Sequence, residues 1–203
     1  MSLDEAVHTA CGDVRDKTVL DLGGYDGRQA AWALKRGAAR AICVEANQWP
    51  AYLWGTPEQY AGVSYIHKDL HDWKEPADIV ILQNVIYHCR NPWRMLEHVR
   101  TLTLERLVLT TSYIRLYGQH HDDAVWRVYA PGDGHPISWT VSWRPSERGL
   151  LVLLEATGFL PHIMWKENQI KEEQDGDHLV VIALPTNKPQ GFAEPVPGAE
   201  MKL

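Results

Sequence analysis

Cysteine is scarce in this chain. Its 203 residues include three, Cys11, Cys43 and Cys89, widely spaced and odd in number. There is no CxxC pair and no zinc-ligand spacing, so neither a dithiol redox motif nor a zinc module is expected. Cys43 sits in the apolar run "AICV" and reads as a small core residue. Long hydrophobic runs are also missing, and none approaches the roughly 20 residues that span a bilayer. The opening segment "MSLDEAVHTACGDVRDK" lacks the basic-then-apolar order of a secretory signal. The expected location is therefore cytoplasmic, with no membrane partner. Positive charge is short as well. Lys and Arg number 20 against 26 Asp and Glu, a formal net charge of -6. That balance disfavours a nucleic acid gripped along its backbone. No segment repeats another.

What is present is an alternation. Short runs rich in Val, Ile and Leu recur at 18–22, 41–45, 63–67, 78–82 and 106–110. Near-continuous apolar strands suit a parallel sheet buried on both faces. Helix-like stretches lie between them at 28–36, roughly 50–60, and 92–102, the last opened by the N-cap pair Asn91-Pro92. A further helix starts at a capping Ser146 and stops at Gly158. Two more strands, 160–165 and 178–184, are joined by "KEEQDGD" and read as antiparallel. The fold class is α/β: a Rossmann-like open sheet, mostly parallel, with an antiparallel strand near the C-terminus and helices on both faces. Residues 1–184 are expected to form one domain, and the Pro- and Gly-rich segment 185–203 an unpacked tail.

In such sheets a ligand sits beyond the carboxyl ends of the strands, beside the first. The loop "DLGGYDGRQA" stands there. It has no GK[ST], which excludes a phosphate-cradling P-loop, and neither glycine start gives G-x-G-x-x-G, which excludes a dinucleotide fingerprint. It does supply acids. Asp21 precedes the glycines, Glu45 ends the second strand, and Asp69 follows the third with Leu70 behind it. S-adenosylmethionine (SAM) carries an ammonium and a sulfonium and no phosphate. Asp21 is placed to face its ammonium directly or through water, Glu45 to accept from both ribose hydroxyls, and Asp69 and Leu70 to meet the adenine. Gly23, Gly24, Gly27, Ala46 and Gln83 complete the expected cofactor contacts, with Gly23 and Gly27 approaching backbone-first.

The stretch "VLDLGGYDG" resembles the motif D-x-G-x-G-x-G of class I methyltransferases, with "VEAN" and "KDL" as the second and third motifs. More narrowly, "DIVILQNVIYHCRNPWRMLEHVR" and "SWRPSERGLLVLLEATGF" are similar to segments of the tRNA wobble-uridine carboxymethyltransferase family and its uncharacterised methyltransferase relatives. The likeness covers roughly residues 17–184. It implies a SAM-dependent methyltransferase. There are two departures. Tyr25 replaces the middle glycine of the loop. The tRNA enzymes also begin their last strand with a basic residue that meets a carboxylated cofactor, and only His178 is near that place here. Ordinary SAM is therefore expected.

Methyl transfer needs an in-line approach and, for a hydroxyl acceptor, a base. Beyond the fourth strand, Tyr87 is expected as a polar wall beside the methyl group and His88 as a base. The segment 111–146 is long for a plain connection and reads as a lid. Its rings, Tyr113, Tyr117, Trp126, Tyr129, Trp139 and Trp143, suit a flat or sugar-like acceptor, although packing alone explains many of them. The cluster "HHDD" at 120–123 has residues pointing in different directions, so no metal is expected. The reading is a methyltransferase acting on a small-molecule hydroxyl or amine. Two alternatives stand. One is a modifier of tRNA bases, favoured by a basic face of Arg90, Arg94, Arg115 and Arg127. The other is a SAM-binding partner subunit without chemistry, favoured by a closed acceptor pocket.

Overall fold

The computed structural model describes residues 1–47, 61–114, 116, 122–128, 143–167 and 178–186. One sheet organises them, in the order β3-β2-β1-β4-β5-β9-β8. Its parallel members are β1 (Thr18–Leu22), β2 (Arg40–Glu45), β3 (Ser64–His67), β4 (Ala77–Gln83) and β5 (Thr103–Ser112). β9 (His178–Pro185) runs antiparallel to β5, and β8 (Phe159–Lys166) antiparallel to β9. The strand order reverses between β1 and β4, so the crevice at their carboxyl ends is the switch point where ligands of open α/β sheets bind.

Alternation along the strands divides the core in two. Leu20, Leu22, Val80 and Leu82 face α3 (Pro92–Leu102) and α4 (Glu147–Ala156), whose Met95, Leu96, Val99, Leu150 and Leu154 close that side. Val19, Cys43, Ile79 and Ile81 face α1 (Leu3–Cys11) and α2 (Arg28–Lys35), which contribute Ala6, Val7, Ala10, Ala30 and Ala33. Asp21 sits between Leu20 and Leu22, so its side chain lies on the α1–α2 side, under small residues that let these helices come close.

The caps agree with the sequence. Asn91 accepts from the Arg94 N–H ahead of Pro92, and Ser146 accepts from the Gly149 N–H. α1 had not been expected. Its Ser2 and Glu5 form a reciprocal capping box, a pattern readable in "SLDE". The antiparallel ribbon of β6 (Trp126–Val128) and β7 (Trp143–Pro145), inside the expected lid, is also new. β9 extends through Pro185, and the Thr186 N–H donates to the Gly158 carbonyl, so the packed chain reaches two residues past the expected boundary at 184. The helix expected at 50–60, the link 171–177 and the rest of the tail lie outside the described residues. No helix among those described is long and apolar enough to cross a membrane.

Candidate cofactor and acceptor site

The glycine loop leaves β1 and turns back over its end. The Gly23 N–H donates to the Val44 carbonyl at 2.7 Å, which ties the loop to β2. Gly23 has φ of +77°, and a Cβ there would meet Val85 Cγ2 at 2.5 Å. Leu70 is also close, so Gly23, Leu70 and Val85 converge on one apolar spot. Gly24 is held differently. A Cβ would lie 2.4 Å from the Asp21 carboxyl and 2.7 Å from Cys43 Sγ, so its glycine is required by Asp21 beneath it and not by a ligand above. Gly27 has ordinary space around a Cβ, and its need for glycine comes from φ of +74° at the N-cap of α2. At Gly23 the room for a Cβ is taken by Val85 of the protein, and at Gly27 the backbone angle rather than space calls for glycine.

Tyr25 occupies the middle position with φ of +51°, in the left-handed region that glycine adopts more readily. Its backbone explains why the conformation holds. The N–H donates to Glu45 Oε2 at 3.0 Å, and the carbonyl accepts from the Tyr65 hydroxyl at 2.7 Å. The side chain is 39% exposed, so it leaves the inner face of the loop.

Glu45 is buried at the end of β2. Its Oε1 accepts from the Asn47 N–H at 2.9 Å and from Asn47 Nδ2 at 3.1 Å. With Tyr25, three of the roughly four acceptor positions of a carboxylate are in use. Two ribose hydroxyls would fit only if the Asn47 side-chain amide gave up its bond. Ala46 is pinned next to it, its carbonyl facing His67 Nε2 at 2.9 Å. Asp69 is exposed and caps a short 3₁₀ turn, Leu70–Asp72, by accepting from the His71 N–H. This capping occupies one oxygen and leaves the other for an amine donor.

Asp21 is fully buried, and neither carboxylate oxygen has a hydrogen-bond partner among the described residues. Burial pushes its carboxyl up to about 7 from an ordinary 3.8. The nearby Ala30 backbone N–H, short of hydrogen-bonding geometry, and Arg28 oppose the rise, and the charges of Asp26 and Glu45 add to it. Two buried acceptors without a hydrogen-bond partner beneath the glycine loop are a chemical match for an ammonium donor. The raised value has a sign. The folded protein holds this proton more tightly than the unfolded chain, so Asp21 costs nothing below about pH 4, stability falls as pH rises from there to about 7, and above that the loss is constant. Asp21→Asn is expected to raise the melting temperature of the ligand-free protein at pH 8 and to leave it unchanged at pH 4. Thermal unfolding of both proteins across that range checks this.

Gln83, at the end of β4, donates from Nε2 to Asp4 Oδ1 at 3.2 Å, and Gln29 of α2 donates to the same oxygen at 2.9 Å. Gln29 Oε1 in turn faces His8 Nε2 at 2.8 Å, and the His8 ring stacks on Trp32 at 4.0 Å. The first turn of α1 thus closes over the switch point. Sequence reasoning missed Asp4, which lies on the unforeseen α1, and also Gln29 and Asn47, whose roles come from contacts with Asp4 and Glu45 that no local pattern marks. Beyond β4, Asn84 takes φ of +57° and exchanges hydrogen bonds with Thr110. This re-aims the chain into the 3₁₀ turn Ile86–His88. Tyr87 is half-buried and His88 exposed, with ring centroids 4.3 Å apart. Burial raises the Tyr87 phenol above its ordinary value, opposed by the charge of Arg144, so Tyr87 stays a neutral hydroxyl at physiological pH.

Of the lid rings, Tyr113 and Trp143 are buried in the core and Trp126 packs against it. The Trp143 indole donates to the Cys89 carbonyl at 2.8 Å. Those three hold the ribbon to the sheet, which is the packing role. Tyr117, Tyr129 and Trp139 lie outside the described residues, as do His120 and Arg115. Arg90, Arg94 and Arg127 are exposed. Among the described residues no three or more His, Cys, Asp or Glu are grouped to hold a metal. His178, near the place where the tRNA enzymes carry a basic residue, faces Glu167 at 3.3 Å.

A methyltransferase-domain family model matches residues 2–161. The chain belongs to that family. No curated protein matches it. Among solved structures, it is similar to the Burkholderia thailandensis 1,6-didemethyltoxoflavin-N1-methyltransferase, solved with its substrate and S-adenosylhomocysteine (SAH). That match has a TM-score of 0.66 and 18% identity, covering 90% of this chain and 79% of that one. It is similar also to the N-terminal domain of EvdMO1, solved with SAH and D-fucose (TM-score 0.65, 15% identity, 90% and 82% covered). A third likeness is to magnesium protoporphyrin IX methyltransferase of Synechocystis PCC 6803 with bound SAM (0.61, 16%, 90% and 77%). By family and fold the methyltransferase is of the class I, SAM-dependent kind. These matches reach the class and not the narrower tRNA-modifying family.

Proposed function

We propose that this methyltransferase binds SAM at the carboxyl ends of β1, β2 and β4 and transfers its methyl group to a hydroxyl or amine of a small molecule. The observation that carries the reading is the buried Asp21 carboxylate, with no hydrogen-bond partner among the described residues, beneath a loop that Glu45 ties down from β2. When bound, SAM supplies a methyl carbon on a cationic sulfur. The chain's own residues then have separate tasks. Asp21 gives negative potential at the ammonium, and Glu45 accepts from the ribose. Gly23, Gly24, Gly27 and Ala46 shape the loop and strand end around the cofactor. Leu70 packs on the adenine while Asp69 accepts from its amine. Gln83, fixed by Asp4, bounds the methionine end.

Tyr87 orients the acceptor through its neutral hydroxyl. His88, exposed beside it, takes the proton and releases it to solvent. In this reading residues 1–184 are the working domain, and 111–146 is its lid. The 1,6-didemethyltoxoflavin and D-fucose of two similar structures, and the small-molecule substrate in the name of the magnesium protoporphyrin IX methyltransferase, support a small acceptor over a nucleic acid, as does the net charge of -6. The start of β9 offers no Lys or Arg, and its His178 faces Glu167, which supports the uncarboxylated cofactor.

Calorimetry at pH 8 tests the reading. SAH is expected to bind in the micromolar range, about -8 kcal/mol, with no heat from NAD. NAD binding, or no SAH binding at millimolar concentration, would refute it.

A further inference from the structure

Asp4 lies in the first turn of α1 and is half-buried. An acid there interacts favourably with the helix dipole, but Glu5 already closes the capping box at that terminus. The Asp4 side chain instead bridges two elements of the switch point. Its Oδ1 accepts from Gln83, the last residue of β4, at 3.2 Å and from Gln29, in the first turn of α2, at 2.9 Å. The carboxylate thus stands between the end of β4 and the helix that follows the glycine loop. That bridge needs one oxygen and no charge, and an asparagine carbonyl would make it equally well. The charge is left over. Among the described residues no hydrogen bond reaches Oδ2, and no cation pairs with Asp4. His8, one turn along α1, feels the Asp4 charge, but burial lowers the pKa of its imidazole, so it is neutral at pH 8. Gln83 Oε1 likewise accepts no hydrogen bond among the described residues. Two free acceptors therefore sit on side chains that one hydrogen bond locks together.

Asp21 does not do the same work. Both its oxygens are sealed, and Gly24 lies so close above them that a Cβ there would stand 2.4 Å from the carboxyl. It sets a negative potential under the loop without touching a ligand above it. We infer that Asp4 is the direct ligand of the SAM ammonium, with Asp4 Oδ2 and Gln83 Oε1 accepting from two of its three N–H groups, and that α1 is therefore part of the cofactor site. A primary ammonium brings three donors and a positive charge, and its hydrogen bonds to a carboxylate are of the strong, charge-assisted kind. The pairing gives the leftover charge its partner and α1 a reason to close over the crevice. The inference rests on the proposed methyl-transfer reading.

SAH and its deamino analogue, in which hydrogen replaces the ammonium and the carboxylate is kept, are the probes, titrated by calorimetry at pH 8. The parent protein is expected to prefer SAH by about tenfold or more. Asp4→Asn keeps an oxygen for Gln29 and Gln83 and removes only the charge. It is expected to weaken SAH about tenfold while the deamino analogue binds within a few-fold of its affinity for the parent. Asp4→Ala gives up the bridge as well and should lose the same preference. A preference for SAH that survives in Asp4→Asn would overturn the inference and leave the ammonium to Asp21. Equal binding of the two probes by the parent would also overturn it. So would equal weakening of both probes in Asp4→Asn, which would make Asp4 a structural strut for α1. Failure of the parent protein to bind SAH at all would instead sink the methyl-transfer reading, and this inference with it.

Discussion

Replacing Glu45 with alanine is expected to weaken SAH binding about a hundredfold. The carboxylate would lose two hydrogen bonds from ribose hydroxyls. Bonds to a charged acceptor contribute roughly 1.5 kcal/mol or more each, and about 3 kcal/mol corresponds to two orders of magnitude. The loop adds to the loss. Glu45 Oε2 holds the Tyr25 N–H and Oε1 holds Asn47, so alanine also releases the segment that closes over the ligand. Glu45→Gln separates the two contributions. It keeps one oxygen for the Tyr25 N–H but replaces the other with a donor, and it should cost about tenfold. Calorimetric titration of the three proteins gives the answer, and equal affinities would remove Glu45 from the ribose.

Tyr87→Phe is expected to lower the rate of methyl transfer five- to a hundredfold while SAH affinity stays within a few-fold. The hydroxyl is neutral, because burial raises its pKa, and it lies past β4, beyond the groups assigned to the cofactor. A hydrogen bond that orients the reacting group contributes about 1–3 kcal/mol in the transition state. The effect should fall on kcat, since binding of the donor does not involve the phenol. A variant that loses SAH affinity and rate together would place Tyr87 in the cofactor site instead.

The sheet was legible in the sequence because its central parallel strands, β1, β2, β4 and β5, are mostly buried, while the edge strand β3 is only half-buried. "TVLDL" has only one polar residue facing a core, and its strand is found at 18–22 as read. The helix 92–102 was legible for a different reason: Asn91-Pro92 marks its start chemically. α1 was missed, although "SLDE" carries its capping box, because the segment was weighed only as a targeting signal. The β6–β7 ribbon could not be read, since each strand is short and its partner is distant in sequence. The cofactor acids were legible because they end strands. Whether Gly24 answers to a ligand or to Asp21 was not, because that depends on a side chain three residues away. Arg144 stood in plain view in "SWRPS", but its burial is a tertiary fact with no local pattern.

The most direct test of the central claim is a crystal structure of the protein with SAH. The account predicts the ribose hydroxyls within hydrogen-bond distance of Glu45, the Asn47 side-chain amide swung away, the ammonium over Asp21, and the sulfur facing Tyr87. SAH lodged away from the β1–β4 crevice, or a ribose bound with Glu45 still closed on Asn47 and Tyr25, would contradict it.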